Sequence, residues 1–159
     1  MGSVDTAELA DLAARTFPLA CPPSTAPEDI ASFIDTNLSA GRFAEYLADP
    51  HRAILSAAQG SRIIGFAMLV RGDDTDTAEL SKIYVLPDHH GAGVSTALMD
   101  LTLATAQEWG VRRVWLGVNQ ANQRAQRFYT KSGFKIKGTR TFQVGARREN
   151  DYVMVHELG

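Results

Sequence analysis

The stretch Val85-Leu86-Pro87-Asp88-His89-His90-Gly91-Ala92-Gly93-Val94-Ser95 runs from an apolar segment, through a proline, into two glycines at the start of a helical pattern. The first amides of a helix lack intrahelical acceptors, and the aligned peptide dipoles add about half a positive charge there. An anion is the complementary ligand. Glycine at 91 and 93 keeps side chains from holding a phosphate away from those amides, and it permits the positive φ that turns successive N–H groups toward one point. His90 adds a donor: a neutral imidazole gives one hydrogen bond to a phosphate, and a protonated one adds charge. No Lys-Ser or Lys-Thr pair follows, as a nucleotide-hydrolase phosphate loop needs. The third glycine of a dinucleotide fold is also absent, as is an acidic residue about 20 positions on. The anion is therefore read as neither a mononucleotide nor a nicotinamide cofactor.

The adjacent histidines do not read as a metal site, because His51 and His156 lie far away in sequence and Cys21 is the only cysteine. No metal is expected. A second charged cluster, Asp73, Asp74, Asp76 and Glu79, falls within the segment RGDDTDTAEL. It reads as a solvated loop; along the edge of a cleft it would concentrate cationic amines and disfavour anions.

These residues need elements to hold them. Residues 5–17 carry apolar side chains at helical spacing and stop at Pro18. Thr25 and Glu28 have capping-box spacing, followed by one or two amphipathic helices broken near Gly41. RAILSAAQG and SRIIGFAMLVRG read as strands of a hairpin turning at Gly60-Ser61, and AELSKIYVLP as a third strand. Residues 94–109 form a helix with Val94, Ala97, Leu98 and Leu101 on one face, ended by Gly110. RRVWLGV is a strand, and NQRAQRFYTKSG a helix capped by Asn119 or Asn122 and stopped by Gly133. TFQVGA and DYVMVHEL close the chain as antiparallel strands. The order predicts an α/β fold, a mostly antiparallel sheet with one parallel strand pair joined through a helix.

The 159 residues, 45% hydrophobic and 21% charged, suit one domain over 1–159, with no repeat or linker. A net charge of −2 with scattered lysine and arginine supplies no stripe for a phosphate backbone, so no nucleic-acid partner is expected. A lone cysteine fits a reducing compartment, and no apolar run approaches the ~20 residues of a membrane span. The N-terminus lacks the charged and apolar regions of a signal peptide. The expectation is a cytoplasmic protein without a membrane partner.

ELSKIYVLPDHHGAGVSTAL resembles the acetyl-CoA-binding segment of the GCN5-related N-acetyltransferases (GNAT), patterned Gln/Arg-x-x-Gly-x-Gly/Ala. Here His90-Gly91-Ala92-Gly93-Val94-Ser95 fills the pattern, with His90 in place of Gln or Arg and Ser95 in place of Gly or Ala. Asn122, Ala125, Phe128, Tyr129, Gly133 and Phe134 resemble that family's downstream element, Asn-x-x-Ala-x-x-Phe-Tyr-x-x-x-Gly-Phe. WLGV, the closing strands and the helical N-terminal third are similar to the PaiA branch of polyamine acetyltransferases.

The resemblance implies the GNAT fold and acetyl-CoA as cosubstrate. Ile83, Tyr84 and Val85 would lie on a strand splayed from its parallel neighbour and would pair their backbone with the cofactor's arm, one amide serving the carbonyl oxygen. Tyr129 matches the general acid that protonates the departing thiolate, and Asn122 a cofactor contact. Phe128 and Phe134 read as core. An alkyl ammonium with a pKa near 10.4 must lose a proton before it attacks, for which Glu79 is the candidate base and Tyr84 the alternative. The acceptor implied is a small-molecule primary amine such as spermidine or spermine, and the family resemblance adds a homodimer built on the closing strands. The alternatives are a protein or another small-molecule amine as acceptor, or a non-catalytic acyl-CoA-binding module.

Overall fold

The computed structural model describes residues 5–21, 24–72, 76–86, 93–144 and 147–158, with backbone only at 20, 142–144 and 147–149. The chain opens with α1 (Thr6–Ala20), which buries Leu9, Leu12, Ala13 and Phe17. Asp5 caps it, its carboxylate accepting from the amides of Ala7 and Glu8 at 2.9 and 3.2 Å. Pro18 does not end this helix as its sequence suggests but sits inside the last turn. There a proline forfeits one backbone bond, and the packing of Phe17 carries the turn onward.

α2 (Pro27–Asn37) starts from Ala26 rather than Thr25, with Pro27 in its first turn, and Thr25 is buried. The fixed φ of proline initiates the helix in place of a side-chain cap. α3 (Ala40–Ala48) is capped by Ser39, whose hydroxyl accepts from the Arg42 amide at 3.2 Å. The break therefore falls at Leu38-Ser39, and Gly41 belongs to the first turn of α3.

The remaining elements are β1 (Arg52–Gln59), β2 (Arg62–Arg71), β3 (Thr77–Val85), α4 (Val94–Glu108), β4 (Arg113–Asn119), α5 (Gln123–Lys131), β5 (Lys135–Val144) and β6 (Arg147–Glu157). They build one sheet in the order β1-β2-β3-β4-β6-β5, with β3 and β4 parallel and the other pairs antiparallel. This is the expected mixed sheet flanked by helices. β5 and β6 begin earlier than their sequence signals, at Lys135 and Arg147, because the two strands pair along their length from Lys135–Val155 to Val144–Arg147.

The apolar run of β2 is uninterrupted because both faces of the strand are covered. Ala67 and Leu69 face α4 with Leu98, Met99 and Ala106, whereas Ile64, Phe66 and Met68 face α1 and α3 with Leu9, Leu12 and Phe43. On α4 the buried stripe is Leu98, Met99, Thr102 and Ala106, while Ala97 and Leu101 are exposed. The stripe is rotated from the expected one because Thr102 enters the core, its hydroxyl satisfied by the Leu98 carbonyl at 2.8 Å. No helix among the described residues is long and apolar enough to cross a membrane.

Two irregularities in the sheet prepare a site. The parallel ladder joins only Thr77 to Arg113, Ala78 to Val114 and Glu79 to Trp115, after which β3 and β4 diverge. The register of β2 on β3 then slips between Leu69–Leu80 and Met68–Lys82, leaving Ser81 as a bulge residue. One extra residue resets the alternation of side chains along the strand. Leu80 thus faces the α4 core, while Lys82 turns to the opposite face with Glu79 and Tyr84.

Candidate active site

The divergence of β3 from β4 opens a cavity of about 560 Å³. Ile83, Tyr84 and Val85 form its floor, Gly93, Ser95 and Thr96 of the α4 N-terminus one end, and Asn122, Arg124, Ala125, Phe128 and Tyr129 of α5 the far wall. Thr16 and Leu19 of α1 reach over it. α4 begins at Gly93 with φ 81°, has no side-chain cap and no acidic residue in its first turn. Its free amides and positive dipole end therefore face the cavity unneutralised. A Cβ built on Gly93 meets nothing within 4 Å, so glycine is needed there for its left-handed φ and leaves the space beside the amides open. Val94 does not line the cavity but packs between the two cores. His90, Gly91 and Ala92 lie outside the described residues.

A second cavity of about 390 Å³ lies on the α1 side of the sheet, and its wall shares Ile83, Tyr84, Asn122, Ala125 and Tyr129 with the first. Its own lining includes Phe17, Cys21, Phe33 and Asn37 from the helices and Glu79, Lys82, Asn119, Arg140 and Asp151 from the sheet. Strand register assembles this floor. Glu79 is level with Trp115 on β4, while Asp151 on β6 faces Asn119 on one side and Arg140 on the other. Asp151 is buried and accepts from Arg140 Nε at 3.4 Å, and the guanidinium lies 5.4 Å from the Trp115 ring centroid. Glycine at 117 makes that path possible, because a Cβ there would collide with the Arg140 guanidinium.

Asn122 caps α5 through its side-chain oxygen, which accepts from the Ala125 amide at 3.1 Å. Cap and cavity lining coincide in one residue, and Asn119 instead holds the Ala121 amide at 2.8 Å. Phe134 is core, as expected from the sequence, whereas Phe128 is half-buried and also faces the first cavity because α5 presents only one side to the sheet.

Burial pushes the Tyr129 phenol above its ordinary range, and among the described residues no hydrogen bond ties its hydroxyl. Burial does the same to Tyr84, with smaller contributions from Tyr129, Cys21 and Tyr46. Both phenols are protonated throughout the neutral range. Burial also lowers the Lys82 ammonium from 10.5 to about 8, opposed by the Glu79 carboxylate and reinforced by Arg52 and Arg42. Of the acidic loop, Asp73 and Asp74 lie outside the described residues. The Asp76 carbonyl accepts from the Arg112 and Arg113 amides at the closed end of the β3–β4 fork, and Asp76 does not line the second cavity.

The sequence therefore marked Ile83, Tyr84, Val85, Gly93, Ser95, Asn122 and Tyr129, which converge on the first cavity, and Glu79, which opens on the second. It missed Thr16, Thr96 and Arg124 in the first cavity and Lys82, Arg140 and Asp151 in the second. The last three carry no local motif, and only the bulge at Ser81 and the register of β4, β5 and β6 bring them together. Among the described residues no three His, Cys, Asp or Glu side chains group as a metal site.

Residues 7–134 match the Acetyltransferase (GNAT) family. An uncharacterized N-acetyltransferase of Mycobacterium tuberculosis is 69% identical over 154 residues, covering 97% of this chain and 98% of its own. The mycothiol acetyltransferase of Propionibacterium freudenreichii is 31% identical over 101 residues, which are 62% of this chain and 32% of that protein. In fold, the chain superposes with a TM-score of 0.81 on the PaiA N-acetyltransferase of Thermoplasma acidophilum solved with coenzyme A. That pair is 21% identical and covers 96% of this chain and 92% of the other.

Proposed function

Since the chain belongs to the Acetyltransferase (GNAT) family and is an N-acetyltransferase with acetyl-CoA as cosubstrate, we propose that it acetylates the primary amine of a small molecule directly, across the wall that its two cavities share. The single observation carrying this reading is that shared wall. The first cavity ends at an uncapped helix N-terminus suited to a diphosphate, the second is a polar chamber, and Tyr129 and Tyr84 border both. Acetyl-CoA supplies an activated acetyl group as its thioester.

Gly93, Ser95 and Thr96 would hold the diphosphate at the α4 amides, and Asn122 would add a contact from α5. The family resemblance assigns His90, Gly91 and Ala92 to the same cofactor contact. The backbone of Ile83, Tyr84 and Val85, released from strand pairing with β4, would hold the arm and direct an amide at the carbonyl oxygen. Glu79, directly or through a water, would take one proton from the acceptor's ammonium. The neutral nitrogen then bonds to the acetyl carbon as the carbon–sulfur bond breaks, Tyr129 gives its proton to the sulfur, and the surplus proton that the nitrogen sheds as the amide forms restores the Tyr129 phenol. Burial keeps the Tyr129 phenol protonated through the neutral range, so its proton is in place when the carbon–sulfur bond breaks. The same effect argues against Tyr84 as the base, since a buried phenol resists ionisation.

The helices α1 and α2 roof the second cavity with Phe17 and Phe33, which stack at 4.5 Å, and this favours a small acceptor over an extended polypeptide. Support for a polyamine comes from Glu79 and Asp151, but Lys82 accompanies the first and Arg140 pairs with the second. Such a balanced chamber favours an acceptor with a single reacting amine over one with several ammonium groups. β5 lies at the sheet edge and is the surface on which the homodimer would form.

Release of free CoA thiol from acetyl-CoA, followed with spermidine, spermine, amino acids, a short peptide and an aminoglycoside offered separately, tests the reading. Release with a small amine supports it. Tight acetyl-CoA binding without release for any amine would replace it with the non-catalytic module.

A further inference from the structure

Three cations gather around the Tyr46 ring: the Arg52 and Arg42 guanidinium carbons at 4.8 and 5.9 Å from its centroid, and the Lys82 Nζ at 5.7 Å. Two of them are already answered. Arg52 pairs with Asp49 at 3.0 Å and Arg42 with Glu45 at 3.4 Å. Lys82 has no carboxylate within ion-pairing distance among the described residues, and its one hydrogen bond there goes to the Ser81 hydroxyl at 3.5 Å. It lines the second cavity with Glu79, to whose face of β3 the Ser81 bulge turns it. A half-buried ammonium that opens on a chamber, with no ion-pair partner among the described residues, is a binding group for an anion that arrives with the ligand.

We propose that Lys82 binds a carboxylate of the acceptor, so that this enzyme acetylates a small molecule carrying both a primary amine and a carboxylate, an amino acid or a close relative. The inference rests on the second cavity being the acceptor site. Glu79 takes the ammonium end and Lys82 the carboxylate end; the two side chains stand on one face of β3 opposite Val70 and Met68 of β2, about 7 Å apart along the strand, which seats the two ends of a compact zwitterion. The stacked Phe17 and Phe33 rings receive the apolar body. The cavity already holds Glu79 and Asp151, so a singly charged carboxylate suits it better than a doubly charged phosphate. A second ammonium group, as in a polyamine, would meet Lys82 as a like charge.

The counter-ion has a signature independent of turnover: an anion settling against Lys82 makes its proton harder to remove. Carbon-13 dimethylation of the lysines in the CoA-loaded protein, with the Lys82 signal assigned by its loss in Lys82→Met, allows its titration to be followed by NMR. Phenylacetate is expected to raise the Lys82 midpoint by about one unit or more, and phenylacetamide to leave it in place. No rise with phenylacetate, or an equal rise with both, overturns the proposal whether or not the enzyme turns over. In the thiol-release assay, kcat/KM for L-phenylalanine is expected to exceed that for L-phenylalaninamide about tenfold or more, to keep that preference in Lys82→Arg, and to lose it in Lys82→Met. A preference for the amide or for a diamine, or one unchanged in Lys82→Met, overturns the proposal. A carboxylate-dependent shift with no amine turned over would leave the anion subsite standing and remove the transferase reading instead.

Discussion

Replacing Tyr129 by phenylalanine removes one oxygen atom at the point where the two cavities meet. The ring remains packed on Phe128 and Phe134, with centroids 5.5 and 6.0 Å away, and no hydrogen bond of the hydroxyl is lost among the described residues. Folding stability should therefore change by less than about 0.5 kcal/mol, within the range of substitutions that break no packing or buried pairing. Cofactor affinity should also hold, because Ile83, Val85, Gly93 and Ser95 still line the first cavity. In the proposed mechanism what is lost is the proton for the departing sulfur, and general-acid catalysis of this kind is worth about 10²- to 10⁴-fold in rate. That converts to about 2.7–5.4 kcal/mol of barrier. The assay is thiol release at saturating acetyl-CoA with the best amine of the panel, alongside calorimetric acetyl-CoA binding and a melting curve. The raised phenol pKa adds a second expectation. The wild-type rate should show no fall attributable to Tyr129 as pH climbs through 9, because the hydroxyl is still protonated there. A variant retaining a third or more of wild-type kcat would refute the acid assignment, and equal losses of binding and rate would make Tyr129 a wall residue.

Other residues give independent tests. Gly93→Ala forces a Cβ into a φ of 81°, at a cost of about 1–2 kcal/mol, so acetyl-CoA should bind at least several-fold more weakly while the fold survives; unchanged affinity by calorimetry would detach the turn from cofactor binding. Asp151→Asn leaves the Arg140 guanidinium short of its charge partner beside Trp115, and should lower stability by about 1.5–3 kcal/mol in denaturant unfolding. Lys82 is held near 8 in the folded chain and titrates higher when unfolded, so the unfolded state binds more protons between those values and stability rises with pH across them. Lys82→Met should accordingly melt above wild type near pH 7, with the difference shrinking as pH passes from about 8 toward 10.5; a constant difference would remove the burial argument.

Much of this molecule was legible before any coordinates. The αL glycines at 60, 93, 110 and 133 stand at ends of elements, where the sequence alone predicts turns and stops. Asn122 could be narrowed to one of two caps, and the strand-helix-strand order required a parallel pair, because a crossover through a helix returns the chain in the same direction. The left-handed glycine at 93 and the uncapped amides that follow it were legible by the same local physics, since both are properties of neighbouring residues. Local signals misjudged Pro18, the Thr25 cap and the buried face of α4, where burial of Phe17, the initiating Pro27 and the satisfied Thr102 hydroxyl outweighed them.

The second cavity was different in kind. Lys82 in SKIYV looks like an ordinary exposed strand residue, and only the slip at Ser81 turns it to the side of Glu79. Arg140 and Asp151 are neighbours by the pairing of β5 with β6, and Gly117 clears the way for a side chain from another strand. Even Tyr129, marked by its motif, gains its position between two cavities from the divergence of β3 and β4. Sequence determined the conformations that backbone chemistry fixes locally: turns, caps, strand and helix periods, and the amides offered to an anion. Tertiary structure decided which charges share a chamber, because register, a one-residue bulge and the splay of a strand pair depend on contacts between segments far apart in the chain.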